Sequence, residues 1–257
     1  MITIKTPQEI ALLREGGKKL AEILERIKEA IKPGVTTKDL DRLAESLIFS
    51  AGGKPAFKGY RLAGNAKNVP PYPAVLCTSL NDEIVHGIPG DRALNHGDII
   101  GLDIGIVYKD LITDMAGTFG VGAIDARKEQ LIDVTRKALS IGIAQIKEGA
   151  FVHDIGAAIQ PYVEGEGFQL VSRDLGGHGV GYALHEEPLV PNWHEHGRGV
   201  ELKAGMVLAI EPMVASTSKI ILDTDGWTYR TADGSPAAHF EHTVAVTKNG
   251  AEILTQL

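Results

Sequence analysis

The chain has 257 residues, of which 44% are hydrophobic, and a formal net charge of -7 at pH 7. That length allows one large domain or two modest ones with a sizeable core, and the acidic balance, without any densely basic stretch, argues against sequence-specific or broad nucleic-acid binding. A lone cysteine, Cys77, excludes an internal disulfide framework, no apolar run is long enough to span a bilayer, and the opening MITIKTPQEI lacks a basic segment followed by an apolar one; a cytoplasmic enzyme or binding protein with no membrane partner is expected.

Thr6-Pro7-Gln8-Glu9 opens the first element: Thr6 can cap a helix, Pro7 suits its first turn and Glu9 can reach back to the cap amide. Ile10, Leu13, Gly17, Leu20, Leu24, Ile27 and Ile31 recur at spacings of three and four, which predicts one long amphipathic helix ended by Lys32-Pro33-Gly34. The spacing also suits a coiled coil, but Gly16-Gly17 favours packing against a sheet. A second helix is expected from Thr36 or Thr37, with Leu40, Leu43, Ala44, Leu47 and Ile48 on one face. Residues 51–73, rich in Gly, Pro and Asn, read as an irregular surface segment of the kind that lines clefts. Residues 74–79 and 83–86 read as short strands around a turn at Asn81-Asp82.

The stretch 97–119, GDIIGLDIGIVYKDLITDMAGTF, is broken only at Tyr108-Lys109-Asp110 and reads as two strands joined by a tight turn, with Asp103 on one and Asp114 on the other. Facing residues in such a pair lie roughly 4.5 to 5.5 Å apart, close enough for both carboxylates to hold the same metal ions. Without a cation between them, one would have to take up a proton.

A helix is expected from Asp125 to Gly149, burying Leu131, Val134, Ala138, Ile141 and Gln145, and a shorter one over 153–163. Here the chain repeats itself: Ile31-Lys32-Pro33-Gly34 followed by Asp39-Leu40 matches Ile146-Lys147-Glu148-Gly149 followed by Asp154-Ile155. The repeat predicts two α/β halves, about 1–122 and 123–257, within one catalytic domain, with a site in the cleft between them. Beyond it, glycines frame His178 in DLGGHGVG and would let a bulky object approach. A strand over 206–212 carries Glu211, a hairpin over 220–232 turns at Asp225-Gly226, and the last strand, 239–247, carries Glu241.

Asp103, Asp114, Glu211 and Glu241 each lie in or against a strongly apolar strand with almost no Lys or Arg to neutralise them. With His178 they offer one nitrogen and several bridging oxygens, an inventory suited to two divalent ions such as Mn, Fe, Co or Zn rather than Mg or Ca.

At these residues the chain resembles the type I methionine aminopeptidases, of the pita-bread fold shared with prolidase, Xaa-Pro aminopeptidase and creatinase. The matching segments are Ser79-Leu80-Asn81-Asp82-Glu83-Ile84-Val85-His86-Gly87-Ile88-Pro89, Asp103 with Asp114, Gly177-His178-Gly179-Val180-Gly181, His185-Glu186-Glu187-Pro188, Ile210-Glu211-Pro212 and Glu241-His242-Thr243. The resemblance implies an α/β fold with two pseudo-symmetric halves, a curved, mainly antiparallel sheet and helices on its outer face. It implies removal of the N-terminal methionine from nascent proteins when the next residue is small, by a hydroxide held between two metal ions. Asp114 and Glu241 would bridge the ions, Asp103 would complete one shell, and His178 and Glu211 the other. Glu211 would relay the proton, His185 would face the scissile carbonyl, and His86 would contact the peptide. His153, His194, His196, His239 and His242 take non-catalytic roles in this reading.

Tyr72, Cys77, Leu184 and Trp227 would wall the methionine pocket, a sulfur beside sulfur and aromatic carbon being a favourable soft contact. Two departures from the family pattern, Leu184 and Val69 at positions often aromatic, would loosen that pocket, and the glycines in Gly101-Leu102-Asp103-Ile104-Gly105 would give backbone freedom that alters metal spacing. A monomer acting in the cytoplasm, with transient ribosome association, is the expected setting. The competing readings are a prolidase-like or Xaa-Pro aminopeptidase and a non-catalytic peptide-binding module on the same fold.

Overall fold

The computed structural model describes residues 2–61, 69–171, 173 and 175–257. Helix α1 (Pro7–Glu29) starts at the expected capping box, the Thr6 hydroxyl accepting the Glu9 N–H while the Thr6 N–H donates to Glu9 Oε2 at 2.8 Å. It stops at Ala30, just before the Lys32-Pro33-Gly34 punctuation. Helix α2 (Thr37–Ser50) repeats the device with Thr36 and Asp39. Strands β1 (Lys54–Pro55), β2 (Leu76–Leu80) and β3 (Glu83–Val85) follow, and residues 62–68 of the expected irregular segment lie outside the described residues. Strands β4 (Ile99–Tyr108) and β5 (Leu111–Gly120) form the expected hairpin, with Lys109 and Asp110 both at positive φ in its turn.

Helix α3 (Ala126–Ile143) ends earlier than Gly149, and its buried face takes in Leu139, Gly142 and Ile143 while Ile141 and Gln145 are only half-buried. Helix α4 (Val152–Gly165) leads to β6 (Gln169–Leu170), β7 (Gly177–Gly179), β8 (Glu186–Val190), β9 (Val207–Ile210) and β10 (Met213–Ala215). The hairpin β11 (Ile220–Leu222) and β12 (Tyr229–Thr231) turns at Asp225-Gly226, where Asp225 Oδ1 accepts the Trp227 and Thr228 N–H groups. The expected last strand is divided at Phe240 into β13 (Ala237–His239) and β14 (Glu241–Thr247), and a further strand, β15 (Gly250–Ile253), follows it.

Nine strands make the main sheet, in the order β1-β4-β5-β14-β9-β7-β8 with β2 beside β4 and β15 beside β14, and its neighbours pair antiparallel. Two small sheets, β13-β10-β6 and β11-β12-β3, flank it. Side chains alternate across β4, and the alternation sorts its chemistry. Ile100, Leu102, Ile104 and Ile106 are fully buried against α1 and α2, whereas Gly101, Asp103 and Gly105 share the opposite face. Helices α3 and α4 cover the other half of the sheet through Leu131, Ile155 and Ile159. None of the helices described is long and apolar enough to cross a membrane.

The two copies of the internal repeat adopt one local structure. Gly34 and Gly149 both take positive φ, 90 and 83 degrees, and each donates its N–H to a later leucine carbonyl, Leu94 at 2.8 Å and Leu202 at 2.9 Å. Those leucines donate back, to Val35 and Ala150 respectively.

Gly17 explains why α1 packs on the sheet rather than in a zipper: a Cβ there would lie 2.3 Å from the Leu254 carbonyl oxygen. Helix propensity alone would make Gly17→Ala stabilising by about 1 kcal/mol. The packing predicts the opposite sign, a loss of about 1–3 kcal/mol in urea unfolding.

Candidate active site

The pairing register gathers the expected acidic and imidazole residues on one face. Asp103 of β4 faces Ala116 of β5, which in turn faces Glu241 of β14. His178 of β7 faces Ala209 of β9, and Glu211 follows two residues later, just past the end of that strand. Asp114 faces Gly105 rather than Asp103. The two aspartates are therefore diagonal neighbours, one step further apart than a facing pair, because the two-residue turn at Lys109-Asp110 sets the register. Ladder bonding between β5 and β14 stops at Met115, and the Thr243 hydroxyl takes over, accepting the Asp114 N–H at 2.9 Å and donating to the Asp114 carbonyl at 2.7 Å.

The glycines around His178 serve the sheet rather than a ligand. A Cβ on Gly177 or Gly179 would lie 2.3 Å from the Ala209 or Glu187 carbonyl oxygen, so they let β7 fit between its neighbours. His178 itself is nearly buried, and its Nδ1–H donates to the Gly179 carbonyl at 2.9 Å. That bond leaves Nε2 with a free lone pair aimed into the site, 3.5 Å from Glu211 Oε1.

The acids are in electrostatic conflict. Burial raises the Asp103 carboxyl to about 6, with the nearby Glu211 adding to the rise and His239 opposing it. Asp114, Glu211 and Glu241 are pushed well above the ordinary carboxylate range, burial leading in each case and neighbouring acids adding to it at Asp114 and Glu241. Burial drives the His178 imidazole down to about 3, so it is neutral at physiological pH. Asp103 Oδ1, Asp114 Oδ1 and Glu241 Oε1 are buried without a hydrogen-bond partner. Ligand atoms of Asp114, His178 and Glu241 lie within 4.8 Å of one another. Among the described residues, the only basic groups within ion-pair range of the four acids are imidazoles, His178 and His239 at Glu211. Unpartnered oxygens, a neutral imidazole and no ammonium or guanidinium make a donor set that fits divalent cations.

A cavity of about 280 Å³ opens beside this floor, and every residue expected from the sequence lines it: the five acid and imidazole residues together with His86, His185, Tyr72, Cys77, Leu184 and Trp227. Tyr72 and Trp227 meet edge to face at 5.2 Å, and each is tethered to backbone, Tyr72 to the Gly87 carbonyl at 3.0 Å and Trp227 to that of Pro70 at 2.9 Å. Cys77 faces Asp103 across the β2–β4 ladder. Burial and that carboxylate push its thiol up, keeping it protonated.

Among the lining residues that escaped the sequence reading are two aromatic ones, Phe57 and Tyr60. Gly59 and Tyr60 exchange backbone hydrogen bonds with Tyr72, which hold Tyr60 beside it in the wall. Tyr60 thereby supplies the aromatic ring whose absence at Val69 suggested a looser pocket, while Val69 packs beside the same cluster. The signal was the aromatic pair in Phe57-Lys58-Gly59-Tyr60, obscured by its distance in sequence from Tyr72. Gly105 belongs to this wall too. It is regularly paired, and a Cβ on it would lie 2.8 Å from Phe57 Cε1, so its smallness admits the ring rather than loosening the backbone.

His185 stands at the mouth, its Nδ1 bonded to the Tyr60 hydroxyl at 2.5 Å and its ring 4.4 Å from that of His178. The loop that carries it and Leu184 is held by Glu186, whose Oε1 accepts the Tyr182 and Ala183 N–H groups. Lys5 Nζ lies 2.7 Å from Glu186 Oε2, with both side chains almost wholly buried, and the Thr3 hydroxyl donates to the same oxygen. The segment before α1 therefore straps the loop that presents His185.

A floor of acids and imidazoles joined to an apolar side cavity is the layout of a metal-dependent hydrolase that grips one apolar side chain. Residues 11–248 match the model of metallopeptidase family M24. The chain is 46% identical to the methionine aminopeptidase of Clostridium perfringens, covering 99% of both chains. It is 44% identical to methionine aminopeptidase 1 of Bacillus subtilis, covering all of both. A crystal structure of methionine aminopeptidase from Rickettsia prowazekii superposes with a TM-score of 0.94 at 38% identity, again over the full length of both chains. The chain belongs to metallopeptidase family M24, and its fold is the pita-bread fold of these enzymes.

Two predictions follow from the site's charge and its strap. In the metal-free protein Asp103 favours folding below its ordinary value of 3.8, an advantage lost as pH rises through about 6. His178 favours folding above 6.5 and loses that advantage as pH falls toward about 3. Divalent ions take ionised carboxylates and neutral imidazole, so the rise in Tm on adding Mn2+ should grow from pH 5 to pH 7.5; a rise independent of pH would place the ion elsewhere. Lys5→Met leaves Glu186 buried without its cation and should cost about 3 kcal/mol in urea unfolding. It should also lower kcat/KM through the loosened Leu184-His185 loop, whereas Lys18→Met on the exposed face of α1 should do neither.

Proposed function

We propose that the chain is a divalent-metal-dependent aminopeptidase that removes the N-terminal methionine from peptides and nascent proteins whose next residue is small. The observation that carries this reading is the junction of the two parts of the site: an apolar wall of Phe57, Tyr72, Cys77, Leu184 and Trp227 lines the same cavity as Asp103, Asp114, His178, Glu211 and Glu241. Its volume, about 280 Å³, lies at the small end of ligand pockets and suits one side chain with the peptide bond beside it.

In this reading Asp103, Asp114, His178, Glu211 and Glu241 would together hold two divalent ions. The group of Asp114, His178 and Glu241 ligand atoms within 4.8 Å of one another supports the assignment. Such ions supply Lewis-acid activation of water and stabilisation of negative charge. Glu211 carries the proton from the attacking water to the leaving amine. With the Tyr60 hydroxyl donating to Nδ1 of His185, the proton on that ring sits on Nε2, where it can donate to the carbonyl oxygen as charge develops. His86, set between the rings of Trp227 and Tyr229 at 6.3 and 6.1 Å, bounds the space for the second residue. The α-amino group is held at the floor and the thioether enters the cavity toward Cys77.

The chain is read as one catalytic domain of two related halves, 1–122 and 123–257, supported by the matched turns at Gly34 and Gly149. A cytoplasmic monomer acting on chains as they leave the ribosome is the setting this activity fits.

Hydrolysis of Met-Ala, Met-Val, Met-Leu, Leu-Ala and Ala-Pro peptides after reconstitution with Mn, Fe, Co or Zn tests the reading. Cleavage confined to methionine followed by a small residue is expected. Glu211→Gln should lower kcat by about 10²–10⁴-fold. Preference for Ala-Pro would move the chain to the Xaa-Pro enzymes, and ion binding without hydrolysis would make it a peptide-binding module.

A further inference from the structure

Glu211 is flanked by two imidazoles, and the function proposed above uses only one of them. His178 Nε2 lies 3.5 Å from Oε1, and His239 Nε2 lies 3.5 Å from Oε2 on the other side. His239 is 3% exposed, and its Nε2 is buried without a hydrogen-bond partner. It does not line the cavity, so it does not face substrate.

We propose that His239 is a positioning residue for Glu211, its Nε2–H holding carboxylate oxygen Oε2 so that Oε1 is turned toward His178 and the metal site. Three features of the fold argue for it. Glu211 sits between β9 and β10, where Pro212 has no N–H to donate and ladder support lapses, so its side chain needs an anchor from elsewhere. Pairing of Met213 with His239 brings β13 alongside at that point. The backbone of His239 is itself clamped: the Thr118 hydroxyl accepts its N–H at 2.9 Å and donates to its carbonyl at 3.0 Å. This is the clamp that Thr243 applies to Asp114, so His239 is fixed in the manner of a proposed ligand. A carboxylate that must both ligate and carry a proton works from one orientation, and partners that set ligand orientation are typically worth about 10–100-fold in metal affinity or activity.

The inference rests on Glu211 being a ligand and proton carrier, and its test separates from that of substrate choice. His239→Leu removes the donor, and His239→Gln keeps an N–H at similar reach. Calorimetric titration with Mn2+ alone should show affinity reduced about 10–100-fold in His239→Leu and within about threefold of the parent in His239→Gln. On Met-Ala, kcat should follow the same order with KM unchanged within about twofold, while the Tm of the metal-free proteins stays matched. Parental Mn2+ affinity in His239→Leu, or equal impairment in Leu and Gln variants, would overturn the proposal. A parent that binds Mn2+ yet cleaves no methionyl peptide would refute the proposed activity and leave the comparison of affinities standing.

Discussion

The constraint on which this structure turns is the confinement of four carboxyl groups to one buried patch that no lysine or arginine among the described residues approaches. Burial alone lifts every one of them out of the ordinary acid range. Left to itself, such a patch would relax by taking up protons or by spreading apart. The fold prevents the spreading. Asp103 and Glu241 lie in one row across three hydrogen-bonded strands, and Asp114 is pinned by the Thr243 hydroxyl where its ladder ends. What relieves the conflict at neutral pH, in the proposed reading, is cation binding, so the strain in the metal-free state and the affinity for metal have one origin.

Two matched turns, one before the β4 acid and one before Glu211, lead into this patch by the same local means. Leu94 and Leu202 each return a hydrogen bond to the turn after a helix, and each is followed by a glycine at positive φ, Gly97 at 90 degrees and Gly205 at 92 degrees. Asp103 stands as far beyond Gly97 as Glu211 stands beyond Gly205. A threonine hydroxyl then fixes backbone across the divide in both directions, Thr118 onto His239 and Thr243 onto Asp114. The pairing of β5 with β14 thus also determines the distance between the acids on either side of it.

Local rules made much of this legible in the sequence. Capping residues Thr6, Thr36 and Asp125 announced three helices, and acids stranded in apolar strands announced the floor. What stayed hidden depended on contacts between distant segments. Tyr60 reaches the wall through backbone bonds to Tyr72, and the aromatic pair in its own neighbourhood does not reveal so distant a partner. His239 read as one residue of a continuous strand, but the break at Phe240 places it in another sheet beside Glu211. The diagonal offset of Asp103 and Asp114 is decided by which residues occupy the turn, a choice of one position that alternation cannot resolve. The glycines near His178 and at Gly105 were visible, but the partners they admit, two carbonyls and a phenyl ring, were not.

Floor and wall differ in how they are held, and the difference bears on how such a site can vary. Floor residues ride on paired strands, where moving one acid means re-registering a ladder and exposing the apolar face of β4. Wall residues Tyr60, Leu184 and His185 ride on loops secured by a few side-chain bonds, chiefly those converging on Glu186. The departure at Leu184 and the substitution of Tyr60 for a ring at Val69 both fall in the wall, where exchange of one apolar group for another changes shape by a methylene or a ring edge. Each such change shifts discrimination between side chains by roughly 1–3 kcal/mol, while the acids and imidazoles beneath keep their register. Separate mechanical support for chemistry and for selectivity therefore lets the pocket drift without disturbing the charge arrangement that the strands enforce.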